Sequence, residues 1–287
     1  MHQWSTPRGD VLHVDATQRR PRTYASLVLH DSTTPVDWSD YAAVLFDLDG
    51  VVTPTAEVHM RAWAEMFNAF LTEGDTGGGD RAAYTDADYF AHVDGKPRFD
   101  GVRDFLASRG IELPEGDPSD GADELTVCGL GNRKNDAFNQ VLERDGVEAY
   151  PGSVQLLDHL RALGLPLAVV SSSANAPSVL QTAGLADRFA TVMDGAVARA
   201  EGLPGKPAPD TFVRAAEVLG TTAAHAVVLE DAVSGVRAGA AGDFALVIGV
   251  DRGAGVATLT DAGAHLVVAD LAELVPRDDT DAPGTHA

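Results

Sequence analysis

Apolar residues fall along this chain in two patterns, short unbroken runs and stripes at helical spacing, and the order of the two outlines a fold. The run 42–46 is apolar throughout, which predicts a strand buried on both faces; it ends at Asp47 and Asp49, with Gly50 behind them to turn the chain. Met60, Trp63, Phe67 and Phe70 then recur at helical spacing and predict an amphipathic helix over 57–71 with that stripe in a core. Between 80 and 145 no buried-strand run occurs. The segments 89–92, 102–108 (stopped by Gly110) and 136–144 (stopped by Gly146) read as helix or loop, an all-helical insert.

After Tyr150-Pro151-Gly152 the pattern becomes a regular alternation. A helix carrying Val154, Leu157, Leu160 and Leu163 leads to a strand at 167–170, and a helix at 176–184 leads to a strand at 190–193. A helix at 209–219, stopped by Gly220, feeds 226–229; another at 234–241 feeds 245–250; a short strand follows at 266–268. Strands alternating with helices predict an α/β fold with a doubly wound parallel sheet, here carrying an inserted helical cap. The expected division is an extension at 1–38, a core built from 39–58 and 149–275, a cap at 59–148 and a polar tail at 276–287. The extension is polar, with Arg19, Arg20 and Arg22 before Leu27-Val28-Leu29, and reads as a partly disordered segment whose basic cluster is solvated. The glycine-rich stretch 74–80 could cradle a phosphate, but no strand precedes it and no Gly-Lys-Ser follows, so a plain loop is the better reading.

Charge and cysteine content narrow the partners. Across 287 residues, 43 acidic side chains against 21 basic ones give a net charge of −22, which argues against an extended nucleic-acid or anionic-membrane surface. An anionic substrate must therefore be captured locally. The single Cys128 leaves no internal disulfide, suits a reducing compartment, and reads as a small buried apolar residue. Residues 1–22 have no apolar core like that of a signal peptide and no run approaches the ~18 apolar residues of a membrane span, so a soluble, cytoplasmic, monomeric protein acting on a small molecule is expected.

Candidate chemistry gathers at the ends of predicted strands, where an open α/β sheet binds ligands. Asp47 and Asp49 can divide the work between nucleophile or metal ligand and general acid/base, although an acidic turn capping the next helix would look the same. Ser171-Ser172-Ser173-Ala174-Asn175 is a hydroxyl-rich turn opening a helix, either an anion site or an ordinary cap. Gly205-Lys206-Pro207 frames one fixed cation. Glu230 and Asp231 end a later strand, and with Asp47 and the carbonyl of Asp49 they could supply hard oxygen ligands to Mg²⁺.

Taken in order, these four strand ends resemble the signature motifs of the haloacid dehalogenase superfamily of phosphotransferases, over roughly 41–270. The wording is closest to the β-phosphoglucomutase-like family: Phe46 to Thr53, Thr55-Ala-Glu57 and His59, Asp94-Gly-Lys-Pro-Arg98, Asn132-Arg-Lys-Asn-Asp136, Tyr150-Pro-Gly152, and the serine, lysine and Glu-Asp motifs above. The resemblance implies that the insert is a cap closing over the core site. It also implies that Asp47 becomes a phosphoaspartate, that Asp49 protonates the leaving oxygen and deprotonates the acceptor hydroxyl, and that Asp47, the Asp49 carbonyl and Asp231 hold Mg²⁺ with Glu230 behind them. Ser171 and Lys206 would hold the transferring phosphate. Thr55, His59, Arg98, Lys134, Ser173 and Asn175 match the second-phosphate and hinge groups; for His59 an exposed helix position remains open. Two positions depart from the pattern: Ala174 stands where related mutases often carry a lysine, and Pro54 where many carry an acidic residue. The implied activity is a β-phosphoglucomutase passing through a bisphosphate, with a sugar-phosphate phosphatase as the alternative and a non-catalytic sensor disfavoured because the catalytic positions are intact.

Overall fold

Residues 36–72 and 78–276 are described by the structure, a computed structural model. In chain order its elements are β1 (Ala43–Phe46), α1 (Thr55–Thr72), α2 (Asp86–Asp88) continuing into a π-helical turn (Tyr89–Val93), α3 (Arg98–Ser108), α4 (Val127–Asp145), α5 (Pro151–Ala162), β2 (Leu167–Val170), α6 (Ala176–Thr182), β3 (Thr191–Met193), α7 (Gly195–Glu201), α8 (Asp210–Val218), β4 (Ala226–Glu230), α9 (Val233–Ala241), β5 (Leu246–Val250), α10 (Val256–Ala262) and β6 (Leu266–Val268). The strands pair in parallel in the order β3-β2-β1-β4-β5-β6. This is the expected doubly wound sheet.

Apart from Thr191 of β3 and Glu230 at the end of β4 the strands are apolar, because helices cover both faces of the sheet. Successive β1 side chains go to opposite sides: Val44 and Phe46 join one core with Leu156, Leu157 and Leu229, while Ala43 and Leu45 join another with Phe212, Val228 and Val247. A third, separate core holds Trp63, Phe67, Phe70, Tyr84, Phe105 and Leu130 of the helical insert. Phe67 is its hub, with ring centroids 4.1 Å from Phe105 and 5.3 Å from Trp63. Among the described residues 80–145 form no strand, so the cap is all-helical.

Several expectations need correction. Helix α4 starts at Val127 rather than 136, because Gly129 and Gly131 disguise its first turns as loop. Gly131 is there for contact: a Cβ would come within 2.7 Å of the Phe99 ring on α3. Helix α3 starts at Arg98 rather than 102, and α7 and α10 were not foreseen. Leu163 follows the end of α5 and is 53% exposed; Leu156 joins Leu157 and Leu160 in the buried stripe, and Val154 is half-buried. The boundary placed between 58 and 59 falls inside α1. Trp38 belongs to the core, its indole N–H donating to the Leu274 carbonyl at 3.2 Å; the rest of the expected extension before residue 36, positions 74–77 of the glycine-rich loop, and the tail after residue 276 lie outside the described residues. Cys128 is buried and unpaired, and no helix among the described residues is long and apolar enough to cross a membrane.

Candidate active site

The parallel register carries the motifs to one edge. Phe46 pairs with Val169 on one side and Leu229 on the other, so the residues just beyond β1, β2 and β4 emerge together where the strand order reverses. The Asp47 N–H still belongs to the ladder, donating to the Leu229 carbonyl at 2.9 Å, which fixes the carboxylate. Gly50 turns the chain at φ +91°, and a Cβ there would lie 1.9 Å from an Asp231 oxygen, so no other residue fits without moving that carboxylate.

Lys206 is buried beneath this edge and uses its three protons on Asp47 Oδ1 (2.5 Å), Glu230 Oε1 (2.6 Å) and the Val170 carbonyl (2.9 Å). Burial alone would lower its pKa; Asp47 and Glu230 hold it well above the usual lysine value. Glu230 also accepts the Ala232 N–H at 3.0 Å. Burial pushes the Asp47 carboxyl well up, with Lys206 opposing and Glu230 and Asp49 adding to the rise. Asp231 is raised too, by burial and by Asp94, Glu230 and Asp47.

Asp49 has different surroundings. Thr55 Oγ1 donates to its Oδ1 in a short contact, Ser171 Oγ donates to Oδ2 at 3.3 Å, and His59 Nε2 lies 3.3 Å from Oδ1. Burial would raise its pKa, but His59, Thr55 and Lys134 outweigh that and hold it at about 2. His59 is therefore not an exposed helix residue: it is buried, stacked on Phe138 at 4.0 Å, with Nδ1 in short contact with the Lys134 amine. Burial lowers the Lys134 pKa to about 7, and its amine lies 5.2 Å from the Trp63 ring centroid. With Lys134 donating to Nδ1, the imidazole proton sits on Nε2, facing Asp49.

A cavity of about 460 Å³ opens on these groups between core and insert, lined by Asp47, Asp49, His59, Lys134, Ser171, Ser173, Asp231 and, from the cap, Arg98. Arg98 donates to Asn132 at 2.9 Å, its guanidinium carbon 4.8 Å from the Phe99 ring centroid. Thr55 and Asn175 do not line the cavity. Thr55 braces Asp49, and Asn175 donates to Asn135 of the cap at 2.8 Å. Ser172 Oγ donates to the Gly95 carbonyl (2.7 Å) and Ser234 Oγ to the Asp94 carbonyl (2.9 Å), which seats the 94–98 turn on the core. The sequence reading missed Tyr89 and Asp94, both on the cavity wall and hydrogen-bonded to each other; burial pushes Asp94 up to about 7. Asp94 stood inside a quoted motif, and only its packing against the core reveals it. Arg199 on α7 also lines the cavity and was missed because its short helix was not foreseen.

The donor set fits a hard divalent cation. Asp47, Glu230 and Asp231 each offer a carboxylate oxygen, all within 4.8 Å of one another. Lys206 pairs with both Asp47 and Glu230, one cation for two carboxylates, whereas Asp231 makes no salt bridge among the described residues. Buried carboxylates left with so little positive charge are the usual setting of a bound metal.

A family model of haloacid dehalogenase-like hydrolases matches residues 41–243. Over 239 residues the chain is 52% identical to a β-phosphoglucomutase of Mycobacterium bovis, covering 81% of this chain and 91% of that one. It is 30% identical to a β-phosphoglucomutase of Bacillus subtilis, again over 81% and 91%. A crystal structure of β-phosphoglucomutase from Clostridium difficile superposes with a TM-score of 0.65 at 23% identity, over 82% of this chain and 93% of that one, and speaks to the fold.

Proposed function

Because this chain belongs to the haloacid dehalogenase-like hydrolases and is an enzyme, a phosphotransferase or phosphatase, we propose that it is a Mg²⁺-dependent β-phosphoglucomutase converting β-D-glucose 1-phosphate to glucose 6-phosphate through a bisphosphate. The observation that carries the mutase reading is Arg98, a cap guanidinium that makes no salt bridge among the described residues, on the wall of the cavity that opens on Asp47 and Asp49. A monophosphate hydrolase has less use for such a group, whereas a bisphosphate leaves one phosphate to be held and not attacked. The names of the mycobacterial and Bacillus relatives favour the same substrate.

In this reading an Asp47 oxygen attacks the phosphorus of a sugar phosphate, the bond from phosphorus to the sugar oxygen breaks, and that oxygen takes a proton from Asp49. In the forward cycle the phosphoaspartate gives its phosphoryl group to the 6-hydroxyl of β-glucose 1-phosphate, whose proton goes to Asp49. The resulting bisphosphate turns round, Asp47 takes the 1-phosphoryl group, and glucose 6-phosphate leaves. Asp49 at a pKa of about 2 stands as the carboxylate that accepts the hydroxyl proton. Thr55, Ser171 and His59 fix its orientation. Lys206 holds Asp47 in place, and Ser171 faces the cavity where the transferring phosphate would lie. Asp47, Asp231 and the Asp49 carbonyl would hold Mg²⁺, with Glu230 occupied by Lys206; the ion would offset repulsion between carboxylate and incoming phosphate. The cap contacts at Gly95 and Asp94 keep water from the phosphoaspartate. The proposal extends to a monomer acting in the cytoplasm on a small sugar phosphate.

³¹P NMR of the purified protein with Mg²⁺, β-glucose 1-phosphate and a trace of glucose 1,6-bisphosphate tests this reading. Conversion to glucose 6-phosphate is expected. Inorganic phosphate accumulating without glucose 6-phosphate would make the enzyme a phosphatase.

A further inference from the structure

Among the described residues five lysine and arginine side chains line the cavity, and their partners divide them. Arg103 is bound by Asp100 and Glu115, Lys96 by Asp104, and the Lys134 amine lies against His59. Arg98 and Arg199 are left, and neither makes a salt bridge among the described residues. They are also close together. Their guanidinium carbons lie 4.8 and 5.6 Å from the centroid of the same Phe99 ring, one reaching it from the cap and the other from α7 of the core. Burial first and then the charge of Arg199 lower the Arg98 pKa, so the two cations repel at this distance.

Two like charges gathered at a cavity wall with no salt bridge among the described residues lower their energy when an anion joins them, and planar guanidiniums suit a phosphate's paired oxygens. The α7 backbone is held firmly: the buried Asp194 side chain accepts the Ala196 and Val197 N–H groups, and Gly202 closes the helix in the left-handed region. The Arg199 side chain itself is exposed, so the fold does not depend on it.

We propose that Arg199 is a specificity-determining residue that, with Arg98, clamps the phosphate not being transferred. The inference rests on the two-phosphate site argued above and adds a core cation to the cap cation. Sugar bisphosphates and correctly oriented sugar monophosphates would be its ligands.

The test is calorimetric titration of the Asp47→Asn protein, which cannot turn over, with glucose 1,6-bisphosphate in Mg²⁺. Adding Arg199→Ala should weaken binding on the order of 10-fold or more, the loss of a charge-assisted contact, while Arg199→Lys, which keeps the charge but not the paired donors, should lie between Arg199→Ala and the parent. Unchanged affinity in Arg199→Ala alongside a loss in Arg98→Ala would overturn the role of Arg199 and leave the mutase reading standing. A parent protein that binds the bisphosphate no better than glucose 6-phosphate would instead sink the two-phosphate site, and this inference with it.

Discussion

Lys206→Met removes the cation on which the catalytic edge is assembled. The side chain is 1% exposed, and it ion-pairs with two carboxylates at 2.5 and 2.6 Å while also satisfying the Val170 carbonyl at 2.9 Å. Methionine matches its length but supplies no proton, so Asp47 and Glu230 would face each other with no cation between them. Breaking a buried pair by deleting one partner costs about 3–5 kcal/mol, chiefly from the stranded charge. At ~2–4 °C per kcal/mol for a domain of this size, that lowers Tm by roughly 6–20 °C. The cost must depend on pH. Lys206 opposes the burial that raises the Asp47 pKa, so without it the folded pKa climbs further above the unfolded value and the variant gains more stability than wild type as pH falls. The deficit against wild type should therefore be large at pH 8 and smaller at pH 5. Urea titrations in EDTA at both pH values, with m-values compared to confirm the same unfolding, measure it. A deficit below ~1 kcal/mol, or one equal at the two pH values, would refute the argument that Lys206 compensates buried charge.

Asp47→Asn should leave the fold intact and abolish turnover, because an amide is not a nucleophile; residual activity above about a hundredth of wild type would refute the assignment. Asp49→Asn should slow transfer on the order of 10²- to 10⁴-fold while Mg²⁺ affinity, measured by titration, stays near wild type; a collapse of that affinity would mean the side chain, and not the carbonyl, binds the ion. His265 lies at the β5–β6 edge with Nδ1 accepting the Val247 N–H at 2.9 Å, and burial lowers its pKa below 6.5. Its folded pKa is depressed, so its contribution is complete above ~6.5 and lost as pH falls below that. Melting curves of His265→Asn should show a flatter loss of Tm between pH 6.5 and 5; a slope equal to wild type would remove His265 from the acid response.

The core was legible because its signals are local. A parallel strand covered on both faces needs a continuous apolar run, so 42–46, 167–170 and 226–229 stood out, and the residues at their ends carried the Asp, Ser and Glu-Asp motifs to one edge. The cap was legible in kind but not in detail. Gly129 and Gly131 weaken the helical signal of α4 because close packing on α3 excludes a side chain there, a requirement that exists only in three dimensions. Helix α7 has seven residues, mostly small, and its half-buried Val197 gives no stripe to read. Missing α7 hid Arg199. His59 and Lys134 were named from the motifs, but their direct contact across 75 positions, which turns the imidazole toward Asp49, could be found only from the packing of α1 against α4.

That contact ties acid–base chemistry to the seating of the cap. His59 lies on α1 and Lys134 on α4, the two helices packed together at the base of the insert, whereas Asp49 follows β1 of the sheet. Ser172 and Ser234 reach from the core to two adjacent carbonyls of the 94–98 turn, the turn that ends at Arg98. Pro97 packs so closely against Gly205 that a Cβ there would come within 2.2 Å of its ring. Lifting the cap would therefore separate His59 and Lys134 from Asp49, withdraw Arg98 from the cavity and admit water at once. The interactions that depress the Asp49 pKa and those that would hold a distant phosphate depend on the same closure. In the proposed mutase, binding energy collected at the arginines would thus be available to assemble the general base, as a transferase that must exclude water as an acceptor requires.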